Sequence, residues 1–249
     1  PALGDTVHIC WVDATPVTSE MARACMAVLP DQEQARFHRY RHPLDAHQFL
    51  MGRLLIRRWL AEVTGVPAES WRFSEGERGR PEIAGAATDW SFNLAHSGGL
   101  VACALARGRR SPDPDAGIGV DLEDLQRRPL ARDLLRRFCA PSETADIERQ
   151  PGDLQARRFL TYWTLKEAYL KARGLGIAVH LADVAFSLDG PHPEITFRES
   201  LAGTSRAWAF ELFQPTPRYL LSVAAPQPPG TPRPLIHLHP VPLPALVTP

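Results

Sequence analysis

Apolar residues recur at helical spacing through residues 44–63. Met51, Leu55, Trp59 and Val63 lie four apart on one stripe, Arg53 and Arg57 share another face, and Gly65 follows as a stop. The pattern then shortens to strand length. Phe92 and Leu94 alternate with polar neighbours, Ser97-Gly98-Gly99 makes a turn, and Leu100 to Leu105 runs apolar without a break, which together predict a hairpin. A stretch from Arg107 to Asp115, with Pro112 and Pro114, reads as a linker. Beyond it the same grammar returns without obvious sequence repetition. Gly117 to Leu122 predicts a buried strand, and Leu130, Leu134 and Phe138 mark one face of a short helix. Ser142 is placed to cap another helix, and Asp153 to cap a long one that runs to Arg173 and ends at Gly174. Four strand-like runs follow at Val184–Leu188, Glu194–Phe197, Ala207–Phe213 and Tyr219–Ala224. Nine of the last 24 residues are proline, too many for a regular ladder or helix, so 226–249 is expected to be an extended tail. The whole predicts an α+β fold in two similar-sized halves joined near 107–116.

Composition narrows the function classes. In 249 residues, 28 basic side chains balance 28 acidic ones, which leaves no general pull towards nucleic acid or an acidic membrane surface. No apolar run reaches the roughly 18 residues needed to span a bilayer, and Asp5, Asp13, Pro16 and Glu20 interrupt the first 30 residues. Cys10, Cys25, Cys103 and Cys139 are far apart, so neither a zinc knuckle nor a disulfide framework is suggested. A soluble cytoplasmic protein is the expectation. One bias is sharper. Only two of the 28 basic residues are lysine, and these, Lys166 and Lys171, stand five positions apart. A lysine ammonium is a compact point charge whose pKa moves when buried, whereas a guanidinium is a planar fork that stays charged. The two lysines therefore mark positions where arginine does not serve.

The candidate chemistry lies in the second half. On a strand, Asp121 and Glu123 of Gly-Ile-Gly-Val-Asp-Leu-Glu (117–123) project from the same face. Paired carboxylates repel unless a cation, a shared proton or basic neighbours offset the charge. In residues 163–171, Trp163, Glu167 and Lys171 lie on one helical face, and Tyr162, Leu165, Tyr169 and Leu170 make the remainder of the helix apolar. Buried charges need partners, and Glu167 meeting Asp121 and Glu123 around a divalent cation would supply one. Three hard oxygens suit Mg²⁺ better than zinc, which prefers His and Cys. A lone His96 stands where the first-half hairpin turns, and Arg53, Arg57 and Arg80 are candidate anion clamps.

These motifs resemble the Sfp-type 4′-phosphopantetheinyl transferase family over roughly residues 30–225. The resemblance is carried by Asn-x-x-His-Ser at 93–97, Gly-x-Asp-x-Glu at 119–123, Phe138 to Glu143, and Trp-x-x-Lys-Glu-Ala-x-x-Lys at 163–171, with Gly-Arg-Leu-Leu-Ile-Arg at 52–57 and Gly-Arg-Pro at 79–81 upstream. It implies a pseudo-dimer of two related α+β halves, each a small antiparallel sheet packed with helices, and hence a monomer. The halves would be 1–112 (nucleotide end of coenzyme A) and 113–225 (Mg²⁺ and catalytic residues), followed by the tail at 226–249. The implied reaction moves 4′-phosphopantetheine from coenzyme A to a serine of an apo acyl or peptidyl carrier protein. Asp121, Glu123 and Glu167 would hold Mg²⁺, with Glu143 close by, acting through water. Glu167 would also be the base, Lys171 would bind the pyrophosphate, and His96 would contact the phosphates. Arg53 and Arg80 would reach the nucleotide end, with Arg36 a candidate for the 3′-phosphate. Two positions depart from the family pattern: Ala95 replaces a serine that some relatives have before the histidine, and Glu33 stands near a lysine of others. Carriers in this family are acidic helical bundles, and Arg127, Arg128, Arg132, Arg136 and Arg137 around Leu130, Leu134 and Leu135 would form their docking patch. Two rival readings use the same residues differently: a Mg²⁺-dependent phosphohydrolase acting on coenzyme A-like pyrophosphates, and a non-enzymatic nucleic-acid binder. The balanced charge and the lack of an aromatic-interleaved basic stripe oppose the second.

Overall fold

The computed structural model describes residues 6–76, 81–85, 89–108, 117–126, 132–174, 180–197 and 208–247. Its first part runs β1 (Thr6–Asp13), α1 (Ser19–Met26), α2 (Asp31–Phe37), α3 (Pro43–Thr64), β2 (Phe73–Glu75), β3 (Pro81–Ile83), β4 (Trp90–Ser97) and β5 (Leu100–Arg107). The second repeats that order with β6 (Gly119–Asp124), α4 (Arg132–Phe138), α5 (Pro141–Arg149), α6 (Gly152–Arg173), β7 (Val184–Ser187), β8 (Glu194–Phe197), β9 (Trp208–Thr216) and β10 (Tyr219–Pro226). Then come β11 (Leu235–Pro240) and α7 (Pro244–Val247). The repeat extends to topology. The antiparallel orders β1-β5-β4 and β6-β10-β9 correspond strand for strand, and α3 and α6 each have 22 residues. The fold is α+β, a pseudo-dimer of two alike halves.

Alternation along the strands explains how the halves meet. Val7 and Ile9 of β1, with Ala102, Ala104 and Ala106 of β5, face a shared core completed by Ile118, Val120 and Leu122 and by Leu221 and Val223 of β10. Cys10 and Val12 point the other way, into a core with Leu50, Met51, Leu55 and Trp59 of α3. α6 builds the corresponding core of the second half through Tyr162, Leu165 and Tyr169.

Both long helices end where their glycines allow it, Gly65 at φ 73° and Gly174 at φ 62°, a left-handed conformation that side chains resist. The N-termini of α6 and α5 differ from expectation. α6 begins at Gly152 behind Pro151, so Asp153 lies in the first turn, where its charge still suits the helix dipole. α5 begins at Pro141, with Ala140 in place of Ser142 at the cap position.

The expected extended tail is corrected. β11 pairs in parallel with β1 from Thr6↔Leu235 to Trp11↔Pro240, and Leu246 of α7 is buried in the α3 core. The proline count misled because most of the prolines sit outside the ladders, and the two that are paired, Pro226 and Pro240, stand at strand ends. Residues 235–239 contain none, and Pro240 lies at the end of an edge strand, where a missing N–H costs little. The expected linker beyond Gly108, with the boundary at 112/113, lies outside the described residues up to Ala116. Among the described residues no helix is long and apolar enough to cross a membrane.

Candidate active site

The site begins with a glycine. A Cβ on Gly119 would lie 1.9 Å from the carbonyl oxygen of Ala168 and 2.6 Å from the amide nitrogen of Ala172, so α6 rests directly on β6. With the helix this close, the next residues on the same strand face, Asp121 and Glu123, meet the α6 residues Glu167 and Lys171. The seat is pinned beside them by Ser222, opposite Asp121 in the ladder, whose hydroxyl donates to the Thr164 carbonyl at 2.6 Å.

Lys171 Nζ lies 2.7 Å from Asp121 Oδ1 and donates to the Val120 carbonyl at 3.2 Å. The other carboxylate oxygen, Asp121 Oδ2, is buried and has no hydrogen-bond partner among the described residues. Glu167 is half-buried; burial, then the charge of Asp121, pushes its carboxyl above the ordinary glutamate range against the pull of Lys171, and Glu123 adds to the rise. The three acids are thus electrostatic neighbours, although their oxygens do not all lie within 4.8 Å of one another. Three carboxylates against one ammonium leave excess negative charge and an orphaned buried oxygen. That donor set fits a hard cation such as Mg²⁺.

His96 stands exposed at the end of β4. Loss of hydration, then the Lys171 charge, lowers its pKa, against smaller opposing effects of Asp45 and Asp121. The other polar residues of its motif join the halves, a role the sequence reading missed. Asn93 Oδ1 accepts the Val120 N–H at 2.9 Å. Ser97 Oγ accepts the Asp124 N–H at 3.2 Å and donates to Glu123 Oε2 at 3.4 Å. Polar Asn93 and Ser97 on the strand face they share with buried Ala95 were the available signal.

Glu143 is the main correction. It is fully buried and does not join the other acids: Oε2 meets Lys166 Nζ at 2.5 Å and the Ala140 N–H at 2.8 Å, and Oε1 accepts the Phe186 N–H at 2.8 Å. Lys166, 1% exposed, also donates to the carbonyls of Phe138 at 2.8 Å and Leu181 at 2.9 Å. Burial pushes the Glu143 carboxyl up and the Lys166 ammonium down, each resisted by the other's charge. The pair knits α5, α6 and β7 together, and its lysine is the one for which the sequence offered no role.

The arginine clamps are also occupied. Arg57 and Arg53 are buried against Glu33, at 2.9 and 3.6 Å; both lie over the ring of Phe73, and Arg53 also over that of Phe49. Some of their N–H groups have no hydrogen-bond partner among the described residues: Arg53 Nη1, Arg57 Nε and Arg57 Nη2. Arg36 pairs with Glu75 over the Phe49 ring. These guanidiniums therefore face carboxylates of their own chain first. Arg80, Arg127, Arg128 and Leu130 lie outside the described residues, as does the side chain of Arg132.

Comparison with known proteins covers both halves. Residues 13–107 match the model of the 4′-phosphopantetheinyl transferase N-terminal domain, and residues 117–224 that of the 4′-phosphopantetheinyl transferase superfamily. The chain is 31% identical to the 4′-phosphopantetheinyl transferase HetI of Nostoc sp. over 89% of its own length and 88% of that protein's. It is 30% identical to a 4′-phosphopantetheinyl transferase of Bacillus subtilis, covering 72% of this chain and 76% of the relative. Among solved structures, a holo-[acyl-carrier-protein] synthase of Helicobacter pylori in complex with coenzyme A aligns with 44% of this chain and 99% of its own, at 21% identity and a TM-score of 0.36. With both family models matched in order and relatives at 30–31% identity spanning 72–89% of its length, the chain belongs to the Sfp-type 4′-phosphopantetheinyl transferase family of enzymes.

Proposed function

We propose that this chain transfers 4′-phosphopantetheine from coenzyme A to a serine hydroxyl of an apo acyl or peptidyl carrier protein and releases adenosine 3′,5′-bisphosphate. The observation that carries the reading is the meeting of Lys171 with Asp121 at 2.7 Å beside Glu167 and Glu123. Such transfers demand little covalent work from a protein. They need positioning and neutralisation of charge on the phosphate oxygens. The serine Oγ attacks the phosphorus that bears pantetheine, and the bond from that phosphorus to the bridging oxygen breaks. The hydroxyl proton passes to Glu167, and Lys171 meets the charge gathering on the departing phosphate. Asp121, Glu123 and Glu167 would hold Mg²⁺, which when bound polarises the phosphorus and shields the leaving group. His96 would contact the phosphates, and Arg36, Arg53 and Arg80 the nucleotide end. On α4, exposed Arg136 and Arg137 beside exposed Leu134 offer a basic, partly apolar face to an acidic carrier.

The test is to incubate the chain with coenzyme A, Mg²⁺ and several apo carriers and to weigh the products. A phosphopantetheine mass gain that Glu167→Gln abolishes supports the reading. Release of adenosine 3′,5′-bisphosphate without any carrier would make water the acceptor and refute it.

A further inference from the structure

We propose that His8, His237 and His239 form a site for one zinc-class divalent ion, which ties the C-terminal strand to the first half. Parallel pairing sets His8 of β1 opposite His237 of β11, and His239, two residues on, projects from the same face. The three residues bring one ring nitrogen each within 4.8 Å of the others, and His8 Nδ1 lies 3.3 Å from His239 Nε2. A tetrahedral zinc with bonds of about 2.0–2.1 Å holds its nitrogen ligands about 3.3–3.4 Å apart. The closest pair therefore already stands at chelating separation.

The surroundings favour ligation. Trp59 of α3 backs the cluster, its ring 4.5 Å from that of His239 and 5.7 Å from that of His8, which limits how the imidazoles turn. Glu62, one turn beyond Trp59, acts on His239 electrostatically and is the candidate to complete the shell. His237 is exposed, which leaves the ion a way in. Three imidazoles select a borderline ion over Mg²⁺, so this site differs in chemistry and in place from the carboxylates on β6 and α6.

The experiment uses the full chain, stripped with a chelator and titrated calorimetrically with Zn²⁺ alone in excess Mg²⁺, which fills a carboxylate site. One ion should bind per chain. His237→Ala and His239→Ala should each weaken binding at least about tenfold, since even outer partners of a metal commonly contribute 10- to 100-fold. Zinc at about 100 times its dissociation constant should raise the folded-to-unfolded ratio about 100-fold, read as a higher melting temperature that the variants lack. The Co²⁺-loaded wild type needs no substitution and should show visible four-coordinate absorption without a thiolate charge-transfer band. Failure to bind one ion, binding that survives both substitutions, or a thiolate band would each overturn the proposal, leaving His8 and His239 a hydrogen-bonded pair only.

Discussion

Replacing Lys166 with methionine should cost far more stability than its distance from the carboxylate cluster suggests. The substitution keeps the length and apolar stem of the side chain but removes three contacts at once: to Glu143 at 2.5 Å and to the carbonyls of Phe138 and Leu181. Among the described residues, Glu143, fully buried, is then left with the Ala140 and Phe186 N–H groups against its charge. Breaking a buried ion pair by deleting one partner costs about 3–5 kcal/mol. For a chain of this size each kcal/mol lowers the melting temperature by about 2–4 °C, so a fall on the order of 6–20 °C is expected. Lys166→Arg should also destabilise, because a guanidinium overfills a slot in which a compact ammonium meets three acceptors. Adding Glu143→Leu to Lys166→Met should recover part of the loss, and only part, since two backbone N–H groups then lack an acceptor. Equilibrium denaturation of the single and double variants closes the cycle. A loss below about 1 kcal/mol for Lys166→Met, on the scale of an exposed pair, would refute the reasoning.

Three further outcomes are expected. In chelator-treated protein, the raised Glu167 pKa means that the folded state holds a proton the unfolded state has released. Its stabilising contribution is therefore complete below the ordinary value of 4.5 and lost as pH rises through the folded value; melting curves across that range should show a fall for wild type that Glu167→Gln flattens. Gly119→Ala should separate α6 from β6, lower stability by about 1–3 kcal/mol as overpacking does, and depress transfer activity more than ground-state binding of coenzyme A. Arg132→Glu with Arg136→Glu should raise the apparent KM for a carrier and leave coenzyme A affinity unchanged; equal carrier kinetics would reject a docking role for α4.

What the sequence made legible follows from the range of the forces involved. Helical spacing marked α3 and α6, alternation marked the β4–β5 hairpin, and residue spacing alone put Asp121 beside Glu123 and Glu167 beside Lys171. Each of these is set by neighbours a few positions away. Glu143 was expected close to the other acids because nothing local announces its actual partners, Lys166 and Phe186, which come from distant segments. Arg53 and Arg57 looked like clamps because nothing local announces Glu33 as their carboxylate. The strand near the C-terminus was hidden by composition: counting prolines over 24 residues blurred a proline-free run long enough to pair.

That last strand changes what a shortened protein would do. Without residues 235–240, β1 would present a bare row of amide and carbonyl groups along its outer side, a template that other chains can pair with. A deletion there should thus be recognised first by association that grows with concentration. The few residues after β10 act as a built-in guard against self-stacking, and a fusion partner or affinity tag appended at this end must leave that guard in place.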